Sequence, residues 1–157
     1  MKINSVKFKS FRQHRDVEFD FSGEHGDLVI IKGNNGAGKT TFLNGVMWCL
    51  YGIVDGSQKF TSESLLSQSD ILATETGDEV VTEVTIALTL GDGANATVAR
   101  RIFFARVDVG VKVVKTELDV LARDEISAGY VRQSDPADWI ESKLPTRFSP
   151  YFLFDGE

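Results

Sequence analysis

The eight residues Gly33-Asn34-Asn35-Gly36-Ala37-Gly38-Lys39-Thr40 constrain this chain more than any other stretch. The apolar run Leu28-Val29-Ile30-Ile31 precedes them, and a helical pattern from Lys39 to about Tyr51 follows. Strand, glycine-rich turn, helix is the context that the spacing GxxxxGK[ST] requires to cradle phosphate groups. Desolvating several phosphate charges together takes backbone N–H groups that converge on one small volume, with side chains kept clear. Gly36 and Gly38 remove Cβ atoms where the backbone must bend and approach closely. A helix beginning near Gly38 adds its unpaired N–H groups and the positive end of its dipole. Lys39 offers a mobile cation to the β and γ phosphates, and Thr40 offers a hydroxyl to Mg²⁺, a hard cation that prefers oxygen. The bland alternative is a glycine turn with a chance Lys-Thr behind it. It leaves unexplained why every constrained position is filled and both flanks fit.

Composition narrows the setting. A chain of 157 residues, 42% apolar and 25% charged, suits one compact domain with a real core. No apolar run approaches the roughly 20 residues that span a membrane. Met1-Lys2-Ile3-Asn4 lacks a signal-peptide core, so a cytoplasmic location is expected. Cys49 is the single cysteine, which rules out an internal disulfide, and it reads as a small core residue. The net charge of −6 argues against a generally basic nucleic-acid binder. The charge is uneven, however. Lys2, Lys7, Lys9, Arg12 and Arg15 open the chain with no acid among them, and the remainder holds 12 basic against 23 acidic residues. The basic start reads as a solvated strand face, with a phosphate-facing role for one or two of these residues as the alternative.

Periodicity gives the outline. Lys2 to Phe8 alternates with one irregularity, and Val17 to Phe21 alternates cleanly. These are two strands of a hairpin around a turn at Ser10–Arg15. After the loop, Phe42, Leu43, Val46, Met47 and Leu50 form one wide apolar face, so this helix packs on a sheet and ends at Gly52. Met47 and Trp48 read as core. Residues 53–78 are polar and mixed, with a short helical turn expected around Glu63–Ser67. A segment this long and irregular is often a functional loop. Glu79–Leu90, Ala94–Val107 and Val111–Leu121, joined by glycine turns, read as an antiparallel meander. Asp135 as N-cap and Pro136 at the first position start a helix that runs to about Lys143 and stops at Leu144-Pro145.

A nucleotide hydrolase usually also needs an acid at a strand end near the loop for Mg²⁺. Val120-Leu121-Ala122-Arg123-Asp124-Glu125 has an acidic pair, but Arg123 interrupts its apolar run. Tyr151-Phe152-Leu153-Phe154-Asp155 sets four apolar residues before Asp155, and Gly156 and Glu157 follow. Asp155 is the better candidate, with an acid that merely caps a strand as its alternative. The chain stops directly after this acid, which suggests a fragment.

Taken together, the start Met1–His14, the loop GNNGAGKTT with Phe42-Leu43 and Leu50-Tyr51-Gly52 behind it, and the ending resemble the N-terminal half of an SMC-type ABC ATPase head. That family comprises chromosome-structure and double-strand-break repair ATPases with long coiled coils. Within it, Tyr-Phe-Leu-Phe-Asp-Gly-Glu most resembles the DndD type, the ATPases of bacterial DNA phosphorothioation systems linked to restriction and phage defence. The resemblance implies an α/β P-loop NTPase fold, an ABC/SMC-type head N-lobe with an antiparallel β-subdomain and a helix packed on the sheet. It implies that residues 1–157 are an incomplete lobe, lacking the coiled coil and the C-terminal lobe. It implies ATP and Mg²⁺ as cofactors. ATP would be held by Arg12 from the hairpin turn, by Gly33, Asn34, Asn35, Gly36, Ala37, Gly38, Lys39, Thr40 and Thr41 of the cradle, and by Thr61 in a short stretch after the helix. Thr40 and Asp155 would hold the metal, and Lys39 and Asp155 would serve catalysis. Most of the family has a glutamine where Asp155 falls. A carboxylate binds a cation more strongly but cannot donate a hydrogen bond to water. Implied partners are the C-terminal lobe of the same ATPase, a second head, DNA and other phosphorothioation-system proteins, with no membrane.

Signature motif, Walker B Asp-Glu and histidine switch are expected in the other lobe. Ile126-Ser127-Ala128-Gly129 is only a faint match to the signature and has no helix pattern after it. The rival reading is a self-contained P-loop enzyme of another class, a small nucleotide kinase or a GTPase. Against it, the chain shows no Asn-Lys-x-Asp guanine motif and no arginine-rich lid. A binding module with a vestigial loop is a third reading, and the intact Lys39 and Thr40 argue against it.

Overall fold

The structure is a computed structural model that describes residues 1–23, 30–54, 61–124 and 129–148. Leu28, Val29, Phe60, the faint signature stretch before Gly129 and the whole of Pro150–Glu157, Asp155 included, lie outside the described residues.

Among the described residues six antiparallel strands form one sheet: β1 (Lys2–Phe11), β2 (His14–Asp20), β3 (Glu79–Thr89), β4 (Asn95–Arg106), β5 (Val111–Arg123) and β6 (Tyr130–Arg132), in the order β2-β1-β3-β4-β5-β6. Hairpin and meander are therefore a single surface, joined where β1 pairs with β3 (Val6 opposite Ile86, Phe8 opposite Val84). The alternation that marked these segments becomes the two faces of the sheet. Val6, Phe8, Val84, Ile86, Leu88, Val98, Ile102, Phe104 and Val120 are buried on the inner face. Helix α1 (Lys39–Tyr51) lies against that face, and α3 (Pro136–Lys143) closes it further with Ile140.

Two expectations about the strands need correction. The hairpin turn is shorter than Ser10–Arg15: β1 runs on to Phe11, Phe11 pairs with His14, and only Arg12 and Gln13 remain between the strands. Ser10 and Arg12 take positive φ (49° and 50°), which tightens the turn in a way no polar composition reveals. The strand expected at Leu28–Ile31 does not form at Ile30 or Ile31, which belong to no strand and stand 67% and 37% exposed. An apolar run becomes a strand only where a neighbour takes its backbone N–H and C=O groups, and none of the six described strands pairs with Ile30 or Ile31.

Helix α1 has the expected span and ends in a left-handed Gly52 whose N–H donates to the Trp48 carbonyl (2.9 Å). Its buried face is centred differently from the expected one. Phe42, Val46, Trp48, Cys49 and Leu50 are buried, whereas Leu43 and Met47 are only half-buried. Gly45 explains the rotation. A Cβ there would overlap the Phe8 ring and press on Phe11, so this is where helix and sheet approach most closely. Cys49 is core, as expected. Its thiol donates to the Val84 carbonyl (3.2 Å), and burial pushes its pKa up to about 12, so it stays protonated.

The segment after α1 holds a 3-10 turn at Ser62–Leu65 and a short helix α2 (Gln68–Ala73). It runs beside the hairpin tip. Arg12 N–H donates to the Leu65 carbonyl (2.7 Å), and Ser67 N–H donates to the Ser10 carbonyl (3.0 Å). Helix α3 has the predicted N-cap, with Asp135 Oδ1 accepting from Asp138 N–H (3.1 Å).

Candidate functional site

The loop between Gly33 and Gly38 is closed by its own hydrogen bonds. Ala37 N–H donates to the Asn34 carbonyl (3.1 Å), and Phe42 N–H donates to the Gly38 carbonyl (2.8 Å), which starts α1. Gly36 and Gly38 have φ of +81° and +94°, the left-handed region that the sequence pattern anticipates. Gly38 is the N-cap of α1, and no side chain caps it. The positive end of the helix dipole thus opens onto the loop. Lys39 Nζ folds over the loop, 2.8 Å from the Gly33 carbonyl and 3.2 Å from that of Asn34. A cation, glycine-freed backbone and a helix N-terminus converge on one point, an arrangement that attracts a polyanion.

Thr40 is exposed at the start of the helix, and Thr41 is buried behind it. Asn34 and Asn35 are exposed on the loop. Arg12 stands half-buried at the hairpin tip, next to residues that touch the loop. Thr61 is exposed and tied to its own turn, its carbonyl accepting from Ser64 N–H (3.0 Å) and Oγ (2.7 Å). The loop and the hairpin turn, separated by about twenty residues of sequence, are thus brought together. Asp124, the acid of the weaker candidate segment, is removed from them. It follows Arg123 at the end of β5, and the register sets that end level with the start of β1, with β3 and β4 between them and away from the hairpin tip. Among the described residues no cluster of three or more His, Cys, Asp or Glu could hold a metal.

Two residues at the site had no assigned role. Gln13 Nε2 lies 3.3 Å from the Gly36 carbonyl, and its Oε1 accepts from the Thr41 hydroxyl (3.2 Å). His14 Nε2 lies 3.4 Å from the Gly38 carbonyl, which can only accept, so the ring donates from Nε2. Burial lowers the His14 pKa, a fall partly offset by the Gly38 hydrogen bond, and the neutral ring packs on Phe8 and Phe19 with centroids at 4.9 and 5.8 Å. The only sequence signal for either residue was its place in the Phe-Arg-Gln-His turn.

The opposite side of the tip is held by Asp70. It accepts from the Ser10 hydroxyl and from Arg15 Nε and Nη2 at 2.8 and 2.5 Å. Burial pushes this carboxyl's pKa up, but those hydrogen bonds and the Arg15 charge outweigh burial and hold it below the ordinary value.

Fold and site define an α/β P-loop protein with the fold of an SMC-type ABC ATPase head N-lobe. The chain belongs to the AAA_23 family (AAA domain), which it matches over residues 5–156. It is 43% identical over 49 residues to the DNA replication and repair protein RecF of Chlorobium phaeovibrioides, a match that covers 31% of this chain and 12% of that one. A second RecF, from Desulfitobacterium hafniense, is 42% identical over 52 residues, covering 33% of this chain and 13% of its own. The match thus spans only about an eighth of these relatives' length. Among solved structures, the fold is similar to a chain described under "Structural biochemistry of ATP-driven dimerization and DNA stimulated activation of SMC ATPases". The TM-score is 0.61 at 16% identity, over 99% of this chain and 87% of that one. The family is one of nucleotide-binding ATPase domains. No helix among the described residues is long and apolar enough to cross a membrane.

Proposed function

We propose that this chain is the ATP-binding part of an SMC-like head that pairs with a second head and acts on DNA. The observation that carries this reading is Lys39 seated over a glycine loop that opens onto an uncapped helix N-terminus. The donor set suits a triphosphate with Mg²⁺. Backbone N–H groups of Gly33–Thr41 and the Lys39 ammonium would take the phosphates, Arg12 would reach them from the hairpin tip, and the Thr40 hydroxyl would face the metal. Bound Mg²⁺ would neutralise charge on the phosphate oxygens, and Asp155 is proposed as its second protein ligand. Thr61 is proposed at the border of the nucleotide. The residues of this chain bind and orient the nucleotide. The C-terminal lobe and the second head are proposed to complete the machinery for turnover.

The DNA role is proposed at two levels. RecF is named for DNA replication and repair, and the similar solved chain for ATP-driven dimerisation and DNA-stimulated activation, which supports action on DNA. The finer reading, phosphorothioation-dependent restriction and phage defence with the other proteins of such a system, is supported by the ending Tyr151–Glu157. A DNA-repair ATPase is the second reading, favoured by the RecF likeness over a third of the chain.

ATP turnover with Mg²⁺ tests the core of the proposal, measured on the chain alone and mixed with the separately expressed C-terminal lobe. Activity that needs the second lobe and is lost in Lys39→Ala is expected. Steady turnover by the chain alone would instead establish a self-contained P-loop enzyme. With both lobes present, stimulation by phosphorothioate-bearing duplex but not by plain duplex is expected for the restriction role. Equal stimulation by both would favour repair.

A further inference from the structure

We propose that Gln13 is a positioning residue, which sets the shape of the phosphate loop from outside. This rests on the reading of the loop as a nucleotide site. Gln13 is exposed and contributes nothing to the core, yet its amide spans the loop. Nε2 reaches the crest at the Gly36 carbonyl, and Oε1 takes the hydroxyl of Thr41 on the far side of Lys39 and Thr40. A carboxamide donates and accepts through one rigid planar group, as this bridge requires. The consequence for the loop follows from peptide planarity. In a trans peptide the Gly36 C=O and the Ala37 N–H point in opposite directions. Anchoring that carbonyl toward the hairpin turns the Ala37 N–H away from it and into the loop, where it donates to Asn34.

Glycine at position 38 carries the same message. A Cβ there would fall 2.5 Å from Gln13 Nε2 and 2.8 Å from His14 Cε1, so the space above Gly38 is already filled by the hairpin tip. The tip is itself rigidly held. The Leu65 carbonyl takes the Arg12 N–H, and Asp70 grips Ser10 and Arg15. A side chain presented from such a platform can hold the loop in its binding form before nucleotide arrives, which lowers the cost of ordering it.

The test uses the full-length ATPase, a fluorescent ATP analogue for affinity and steady-state turnover of ATP. Gln13→Ala is expected to raise Kd and KM about five- to tenfold, the loss of two modest hydrogen bonds, with kcat close to wild type. Its melting temperature without nucleotide should be unchanged. Gln13→Glu keeps the acceptor for Thr41 but turns an anion toward the Gly36 carbonyl and the phosphates, so it should bind more weakly than Gln13→Ala. Lys39→Ala separates this inference from the reading beneath it. If Lys39→Ala abolishes binding while Gln13→Ala stays within twofold of wild type, Gln13 has no positioning role and the nucleotide site stands. If Lys39→Ala binds normally, the nucleotide reading falls and this inference falls with it. A fall in kcat at constant KM, or a lower melting temperature without nucleotide, would also overturn it.

Discussion

At the scale of single residues, the site is built around positions where a side chain is excluded or a proton withheld. Gly38 is bound by two independent constraints, a φ of +94° and a hairpin tip occupying the place of its Cβ. Gly38→Ala should therefore weaken nucleotide affinity more than tenfold and lower stability by about 1–2 kcal/mol, read by titration and by denaturant midpoint. His14 gives a pH signature. Burial holds its folded pKa below the ordinary histidine value of 6.5, so below about pH 6.5 the unfolded chain binds a proton that the folded chain refuses. Stability is then full at neutral pH, declines as pH falls through the unfolded value, and levels off once the folded pKa is passed. Melting temperature against pH should show this decline in the wild type and a shallower one in His14→Gln, which cannot titrate. A His14→Gln slope equal to wild type would assign the decline to other groups.

At the scale of elements, helix α1 and strand β1 meet at a contact that glycine alone allows. A Gly→Ala change inside a helix ordinarily stabilises it by up to about 1 kcal/mol. At Gly45 the added methyl would overlap the Phe8 ring within a packed core, where over-packing costs about 1–3 kcal/mol. Over-packing outweighs the gain in helix propensity, so Gly45→Ala should lower the denaturant midpoint. An increase would mean that the core yields at this point. Helix α1 was legible to the residue because its loop, apolar period and terminal Gly52 all agree, and α3 was legible because Asp135-Pro136 marks its start. Gly45 was not legible, because nothing in a helical period shows which face meets an aromatic ring from another strand. The same limit hid Gln13 and His14. Their partners lie more than twenty residues away in sequence, and only the closed hairpin brings them together. Ile30 and Ile31 show the converse, an apolar run that has the composition of a strand but no described neighbour to pair with.

At the scale of the whole molecule, one sheet must hold an N-terminal hairpin and a later meander together across the single pairing of β1 with β3. The inner face does this by burial. The outer face does it with alternating charge. Asp16 stands opposite Lys9, Lys9 opposite Glu83 and Glu83 opposite Arg101. Arg101 forms ion pairs with Glu83 and with Asp119 (2.8 Å), and Asp119 also accepts from Arg132 (3.2 Å). The row crosses all six strands with a change of sign at each step, and Arg101 is its best-shielded cation, 26% exposed. Burial lowers the Arg101 pKa, but its two carboxylate partners outweigh burial and raise it. Arg101→Gln leaves two acids facing each other across β4. It should cost about 1–2 kcal/mol in low salt, more than an exposed pair because one cation serves two anions. Raising the salt to about 1 M shortens the screening length to about 3 Å and should recover part of that loss. Removing both acids as well, with Glu83→Gln and Asp119→Asn beside Arg101→Gln, should restore most of the midpoint, because the penalty lies in two anions that have lost the cation between them rather than in a missing bond. A triple variant no more stable than Arg101→Gln would show that the arginine acts by packing its stem across the sheet, and that charge alternation does not hold hairpin and meander in register.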